Sequence, residues 1–181
     1  MMHKRPCVIL VADSNMAAAF RGFFQREGWH LSLGCAPFEI NTQVGADLIV
    51  DEGGNDPGVY TKGHELLRPY QSSHQHAIVV LDCEWDGSPG KAAIEVHITE
   101  QLLASGWADG AVKVIAIDPE LENWLWQDKP QVAQALRYKG QPPLRQLLAD
   151  RGLWPLDAAK PPRPKEAAQW VLRQTRQPRS S

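Results

Sequence analysis

Three carboxylates, Asp82, Glu84 and Asp86, stand at alternate positions directly after the apolar run Ala-Ile-Val-Val-Leu at 77–81. On an extended segment, residues two apart point to the same side, so this spacing predicts that the three acids share one side. Carboxylates held that close repel one another unless a proton, water or a cation stands between them. Oxygen-rich clusters of this kind suit Mg²⁺ or Mn²⁺, completed by water or phosphate oxygens. The plainer alternative is a solvated acidic loop. The run before the acids suits a strand covered on both faces, as in a parallel sheet. Ligands of such sheets bind at the carboxyl ends of the strands, where these acids begin.

Other residues can join or rival that site. Asp118-Pro119-Glu120-Leu121-Glu122 follows an apolar run and reads as a helix start, with Asp as cap, Pro in the first turn and acids beside it. Glu122 lies among apolar neighbours, near Trp124 and Trp126, and is a second candidate for the acidic site. Asp13 follows the first apolar run, 8–12, and either caps the next helix or completes the site. Gly87-Ser88-Pro89-Gly90-Lys91 lies between a strand and a helix but lacks the full phosphate-loop spacing, so it reads as a turn. His74 and His76 are spaced for a transition metal but lack an evident third ligand; a surface pair is the simpler reading. No GxSxG elbow is present, and Cys7, Cys35 and Cys83 have no placed histidine partner.

Composition bounds the answer. With 181 residues, 43% hydrophobic and 22% charged, the chain can bury a real core. No stretch approaches the length of a membrane span. Three dispersed cysteines without a CxxC pair argue against a disulfide framework and for a cytoplasmic protein. The net charge of −2 is unevenly placed: residues 160–181 hold six basic side chains against Glu166, a net of +5, leaving −7 for the rest. Lys160, Arg163 and Lys165 are therefore candidates to contact a phosphate backbone, with a solubilising terminal helix as the alternative. The seven tryptophans are expected in core or interface positions.

The elements needed to position these residues alternate. Strands are predicted at 8–12, 30–33, 48–50, 78–81 and 112–117, and helices at 16–27, 60–70 and 92–105. Shorter helices follow over 120–127, 130–138 and 142–151. A stiff Pro-rich connector at 160–165 precedes an amphipathic helix at 166–176. Strand–helix alternation implies an α/β fold with a mostly parallel sheet flanked by helices. Residues 1–127 are expected as the α/β domain, and 128–181 as a helical extension packed on it.

With strand 8–12, Asp82-x-Glu84-x-Asp86 and the segment 122–126 in place, the pattern resembles the Toprim-like family of metal-binding domains. The words LDCEWDGSPG (81–90), DPELENWLW (118–126), KPPRPKEA (160–167) and the terminal RSS are similar to the small Toprim-like component of methylation-associated phage-defence systems of bacteria. The resemblance implies a Toprim-like sheet, with Asp82 and Glu84 as the family's acidic pair and Asp86 as a third acid. Those residues would hold Mg²⁺, and Asp13 or Glu122 would complete a site for metal-assisted hydrolysis of a phosphodiester. It further implies nucleic acid as partner, DNA rather than RNA, other defence proteins, no membrane, and room for an oligomer. Active members carry Glu, typically followed by Gly, at the end of the first strand, where this chain has Ala12-Asp13. That departure opens the alternative of an inactive subunit serving as a protein-interaction scaffold. A nucleotide or small-molecule phosphotransfer enzyme using the same rim is a third reading.

Overall fold

Every side chain from Cys7 to Ala12 is buried, as are Ala77 and the run Val79–Cys83. Unbroken burial of this kind requires cover on both faces of a strand. The computed structural model, which describes residues 4–127 and 129–176, meets that requirement with a parallel sheet. The chain divides after Ile117 into two units.

In the first unit, strand β1 (Arg5–Val11) lies between β2 (Leu48–Val50) and β3 (His74–Asp82), and β4 (Val112–Ile117) follows on the far side of β3. All pairings are parallel, in the order β2-β1-β3-β4. Val11 lies opposite both Val50 and Val80, and Asp82 opposite Ile117, so the carboxyl ends share one edge. Helix α1 (Ser14–Phe24) packs on β1 and β2, whereas α3 (Asp56–Leu67) packs on β1, β3 and helix α4 (Lys91–Ser105). Right-handed crossovers place α1 on one face and α3 with α4 on the other. Gly63 permits the close approach of α3: a Cβ there would lie 3.4 Å from Leu10 Cδ2. The α/β class with a parallel sheet, flanking helices and a helical C-terminal region is what the chain adopts.

Two local expectations are corrected. Residues 30–33, expected as a strand, belong to the short helix α2 (Trp29–Leu33), bounded by Gly28 and Gly34 at φ of 68° and 64°. Its aromatic contacts decide this, since Trp29 meets Phe24 and Phe38 edge-on, with ring centroids 4.9 and 4.7 Å away. Helix α3 begins four residues before the expected 60. Asn55 caps it by accepting from the Gly58 amide at 2.7 Å, and Pro57 fits its first turn. The Asn55-Asp56-Pro57-Gly58 run, outside the expected helix, is its start.

The second unit begins at Asp118, so 118–127 belongs with the helices rather than with the sheet domain. Helices α5 (Glu122–Leu125), α6 (Pro130–Ala135), α7 (Leu144–Asp150) and α8 (Pro164–Arg176) surround a core that includes Trp126, Leu148, Trp154 and Val171. Trp126 is wholly enclosed, and its indole N–H donates to the Pro164 carbonyl at 2.9 Å. Arg145 gathers the carbonyls of Trp154, Pro155, Leu156 and Ala158 at 2.8–3.1 Å, with its guanidinium 3.9 Å from the Trp154 ring centroid. Among the described residues no helix is long and apolar enough to cross a membrane.

Strand β4 ends the sheet, and its outer edge is blocked at Ala116. Glu95 accepts from the Ala116 amide at 3.2 Å, and Lys91 donates to its carbonyl at 2.6 Å while also binding Glu95 at 2.7 Å. Partial burial would raise the Glu95 carboxyl. The Lys91 and Ala116 hydrogen bonds and the charges of Lys91 and Lys113 outweigh it and hold the carboxyl below its ordinary value. A lowered carboxyl stabilises the fold above its unfolded value and loses that contribution as pH falls through the folded one. The melting-temperature gap between wild type and Glu95→Gln is therefore expected in full at neutral pH and should close in the acidic range. A gap that does not change with pH would show that the charge plays no part.

Candidate functional site

The shared carboxyl edge of the sheet is where a ligand site of this architecture belongs. Asp13, Asp51 and Asp82 occupy it in the first unit, one at or after each of β1, β2 and β3. The structure gives each a local partner. Asp13 accepts from the Met16 amide at 2.8 Å and so caps α1, its carboxylate facing the positive end of that helix. Asp51 Oδ2 lies 2.6 Å from where a Cβ on Gly58 would stand, pressed against the first turn of α3. Asp56, in that same turn, accepts from the Asp82 amide at 2.7 Å and ties α3 to the end of β3. Asp82 itself is buried.

The expected alignment of Asp82, Glu84 and Asp86 does not form, because β3 ends at Asp82 and the chain bends at Cys83 and Trp85. A tight turn follows. Ser88 donates to the Cys83 carbonyl at 2.5 Å, its amide binds Trp85 O at 3.0 Å, and the Gly90 amide returns to the Ser88 hydroxyl at 3.2 Å. Trp85 packs near Tyr60, which stacks on His97 at 4.5 Å. Glu84 and Asp86 are left in solvent. Residues 87–91 thus form the turn read from the sequence, and the Lys91 ammonium reaches Ala116 and Glu95. Among the described residues, no three His, Cys, Asp or Glu side chains converge to hold a metal ion. The three-carboxylate ligand set does not fit, and no catalytic step is derived through it.

Glu122 is half-buried in α5 and belongs to the second unit. In that unit the basic connector is bound to residues 120–126. Lys160 donates to the Asn123 carbonyl at 3.0 Å and to the Trp126 carbonyl, meeting the open carbonyls at the end of α5. Glu120 accepts from the Lys165 amide at 2.7 Å, a carboxylate at the start of α8. Lys160 is therefore a cap rather than a surface contact. Arg163 pairs with Glu166 at 2.9 Å on an exposed face, and the Lys165 side chain is exposed.

A third polar constellation lies at the opposite, amino end of the sheet. Asp47, 1% exposed, accepts from Arg5 at 2.5 Å and from the Asn41 amide at 2.7 Å through one oxygen. Its other oxygen is 3.0 Å from His74 Nε2, and His74 Nδ1 is 2.9 Å from the Ser73 hydroxyl. His74 is 4% exposed, so the surface-pair reading of His74 and His76 fails for the first. The network joins the starts of β1 and β3 to the loop entering β2. Burial, and then the nearby Asp47 charge, push the Cys7 thiol up to about 11. From sequence, Asp47 is one acid among several in a Gly-rich loop. Only the pairing of β1 with β3 brings Arg5 beside His74.

No protein-family model matches this chain, and no curated protein or solved structure does either.

Replacing Asp47 leaves a buried histidine and the Arg5 charge without their carboxylate. Asp47→Ala is expected to cost about 3 kcal/mol of unfolding free energy in denaturant titrations. A loss below roughly 0.5 kcal/mol, the scale of an ordinary surface change, would show the network to be dispensable. Thiol reactivity gives a separate check. Cys35 is exposed, whereas Cys7 and Cys83 are buried. A disulfide reagent at neutral pH should modify Cys35 at once and the other two only after denaturation. Fast modification of two or three thiols in the native protein would contradict the burial.

Proposed function

We propose that this chain is a Toprim-like component of a bacterial anti-phage defence system that acts as a partner-binding subunit rather than as a nuclease. The observation that carries the reading is Asp13. The resemblance puts the family's first-strand glutamate where this chain has Ala12; Asp13, one position on, is the acid that could substitute for it, and its carboxylate accepts from the Met16 amide at 2.8 Å. A general acid or base needs its carboxyl free to reach a proton of the substrate. The solvent exposure of Glu84 and Asp86, and the use of Lys160 as a cap, point the same way. Apolar surface suited to a partner is present on α2, where Leu31 and Leu33 are 75% and 54% exposed. On this reading the protein works in the cytoplasm, beside the other products of its system.

One observation favours the enzymatic alternative. The Asp56 carboxylate accepts from the Asp82 backbone amide at 2.7 Å, which sets the two residues side by side at the end of β3. Mg²⁺ is often held by only one or two carboxylates, the rest of its shell coming from water and phosphate. Such a site would supply charge neutralisation and activated water for phosphodiester hydrolysis, with DNA as substrate and Arg163 and Lys165 near its backbone.

One set of proteins separates the two. Wild type and Asp82→Asn are incubated with single- and double-stranded DNA and with RNA in Mg²⁺ or Mn²⁺. Leu31→Asp/Leu33→Asp is co-expressed with the neighbouring gene products. The subunit reading expects no cleavage above the Asp82→Asn background. It also expects co-purification that survives Asp82→Asn and is lost with the α2 variant. Metal-dependent cleavage abolished by Asp82→Asn would overturn it in favour of the nuclease.

A further inference from the structure

We infer that the helical unit contains a binding site for a small aromatic carboxylate. A cavity of about 290 Å³ is lined by α6, the loop after it and α7, all within residues 118–176. Its floor is core: Val132, Leu144 and Trp154 are buried side chains of the unit's apolar cluster. Tyr138 and Pro143 add to the lining. Ligand pockets begin at roughly 300 Å³, and mostly apolar linings with a few convergent polar groups are their usual makeup. This volume suits a compound of one or two fused rings.

The polar groups select the charge. Among the described lining residues, Lys129 and Arg145 are the charged ones and none is acidic. Arg145 is held in place by four backbone carbonyls and by the face of Trp154. Carbonyl dipoles satisfy its N–H groups without cancelling its charge. Among the described residues no carboxylate pairs with it. Arg145 is half-buried, so its charge is screened less than one at an open surface, while Lys129 adds an exposed cation at the rim. A ligand anion would gain from both cations, while its rings would gain from Tyr138 and Trp154.

The Tyr138 wall is preorganised. Its hydroxyl donates to the Pro142 carbonyl at 2.6 Å, and Gly140 lies close against the ring. A Cβ at residue 140 would fall 2.8 Å from the Tyr138 oxygen and 2.9 Å from Cζ, so only glycine leaves the ring where it is. A wall that need not reorganise lowers the entropic cost of binding. The modest volume and apolar floor favour a single carboxylate on a ring system over a polyphosphate, whose oxygens demand many donors.

Calorimetry and saturation-transfer NMR on the full chain test this with 2-naphthoate, its neutral amide and inorganic phosphate as probes. We expect one equivalent of 2-naphthoate to bind, with the amide weaker by about tenfold, the worth of one charge-assisted hydrogen bond, and with phosphate alone not binding measurably. Lys129→Glu, on an exposed residue, should weaken 2-naphthoate by at least about tenfold and leave the amide unchanged. Ala133→Trp, which fills the cavity, should abolish binding of both ring compounds while the far-UV spectrum is retained. Equal binding of acid and amide, binding of neither, or 2-naphthoate affinity indifferent to Lys129→Glu would each overturn the proposal.

Discussion

Two strands, β1 and β3, are pressed between helices on both faces, and the first unit depends on that burial. Their side chains from Val8 to Ala12 and from Val79 to Cys83 leave no polar face for solvent. Apolar surface removed from water stabilises by roughly 25 cal/mol per Å², so burying these runs favours the fold. Such strands must lie in the middle of a sheet, and parallel partners joined by helical crossovers are the economical way to cover them. The order β2-β1-β3-β4 and the shared carboxyl edge follow from this.

Around that core, polar side chains repeatedly serve backbone groups that the regular elements leave open. Asp13 takes the Met16 amide at the start of α1, and Asp56 takes the Asp82 amide where β3 ends. Glu95 and Lys91 together satisfy both backbone groups of Ala116 on the sheet's free edge, which also protects that edge from pairing with another chain. In the second unit Glu120 serves Lys165, Lys160 serves Asn123 and Trp126, and Arg145 serves the carbonyls of Trp154, Pro155, Leu156 and Ala158. Buried backbone groups left unpaired cost about 1–3 kcal/mol each, so these bonds compete strongly for acids and bases that might otherwise act on a ligand. Of the acids that looked catalytic, Asp13 caps α1, Asp82 is buried, and Glu84 and Asp86 stand in solvent.

This division bears on function. On the proposed reading, the helix amide that occupies the Asp13 carboxylate favours partner binding over hydrolysis. The cationic, aromatic cavity of the helical unit is a separate chemical opportunity. Its apolar floor is unsuited to a nucleic-acid backbone and well suited to a small organic anion.

The sequence alone determined the α/β class, the positions of β1, β2 and β4, and the core of β3, because unbroken apolar runs and their helical neighbours are local patterns. It read 87–91 as a turn, and it read Asp118-Pro119 as a helix start, whereas α5 begins only at Glu122 with Leu121 as its cap. It misjudged 30–33, where edge-on aromatic contacts with Phe24 and Phe38 decide for helix over strand. The period of Asp82, Glu84 and Asp86 fitted an extended segment or a solvated acidic loop, and only tertiary structure set where β3 stops and where Trp85 packs. The Arg5–Asp47–His74 network could not be read from the chain, since its members lie up to 69 positions apart and meet only through the register of β1 with β3. Charge at Lys160 was legible; its use was not, because a lysine on a Pro-rich connector looks the same in sequence whether it faces phosphate or caps a helix. Local patterning fixes which elements form, and only three-dimensional packing decides which polar groups they consume.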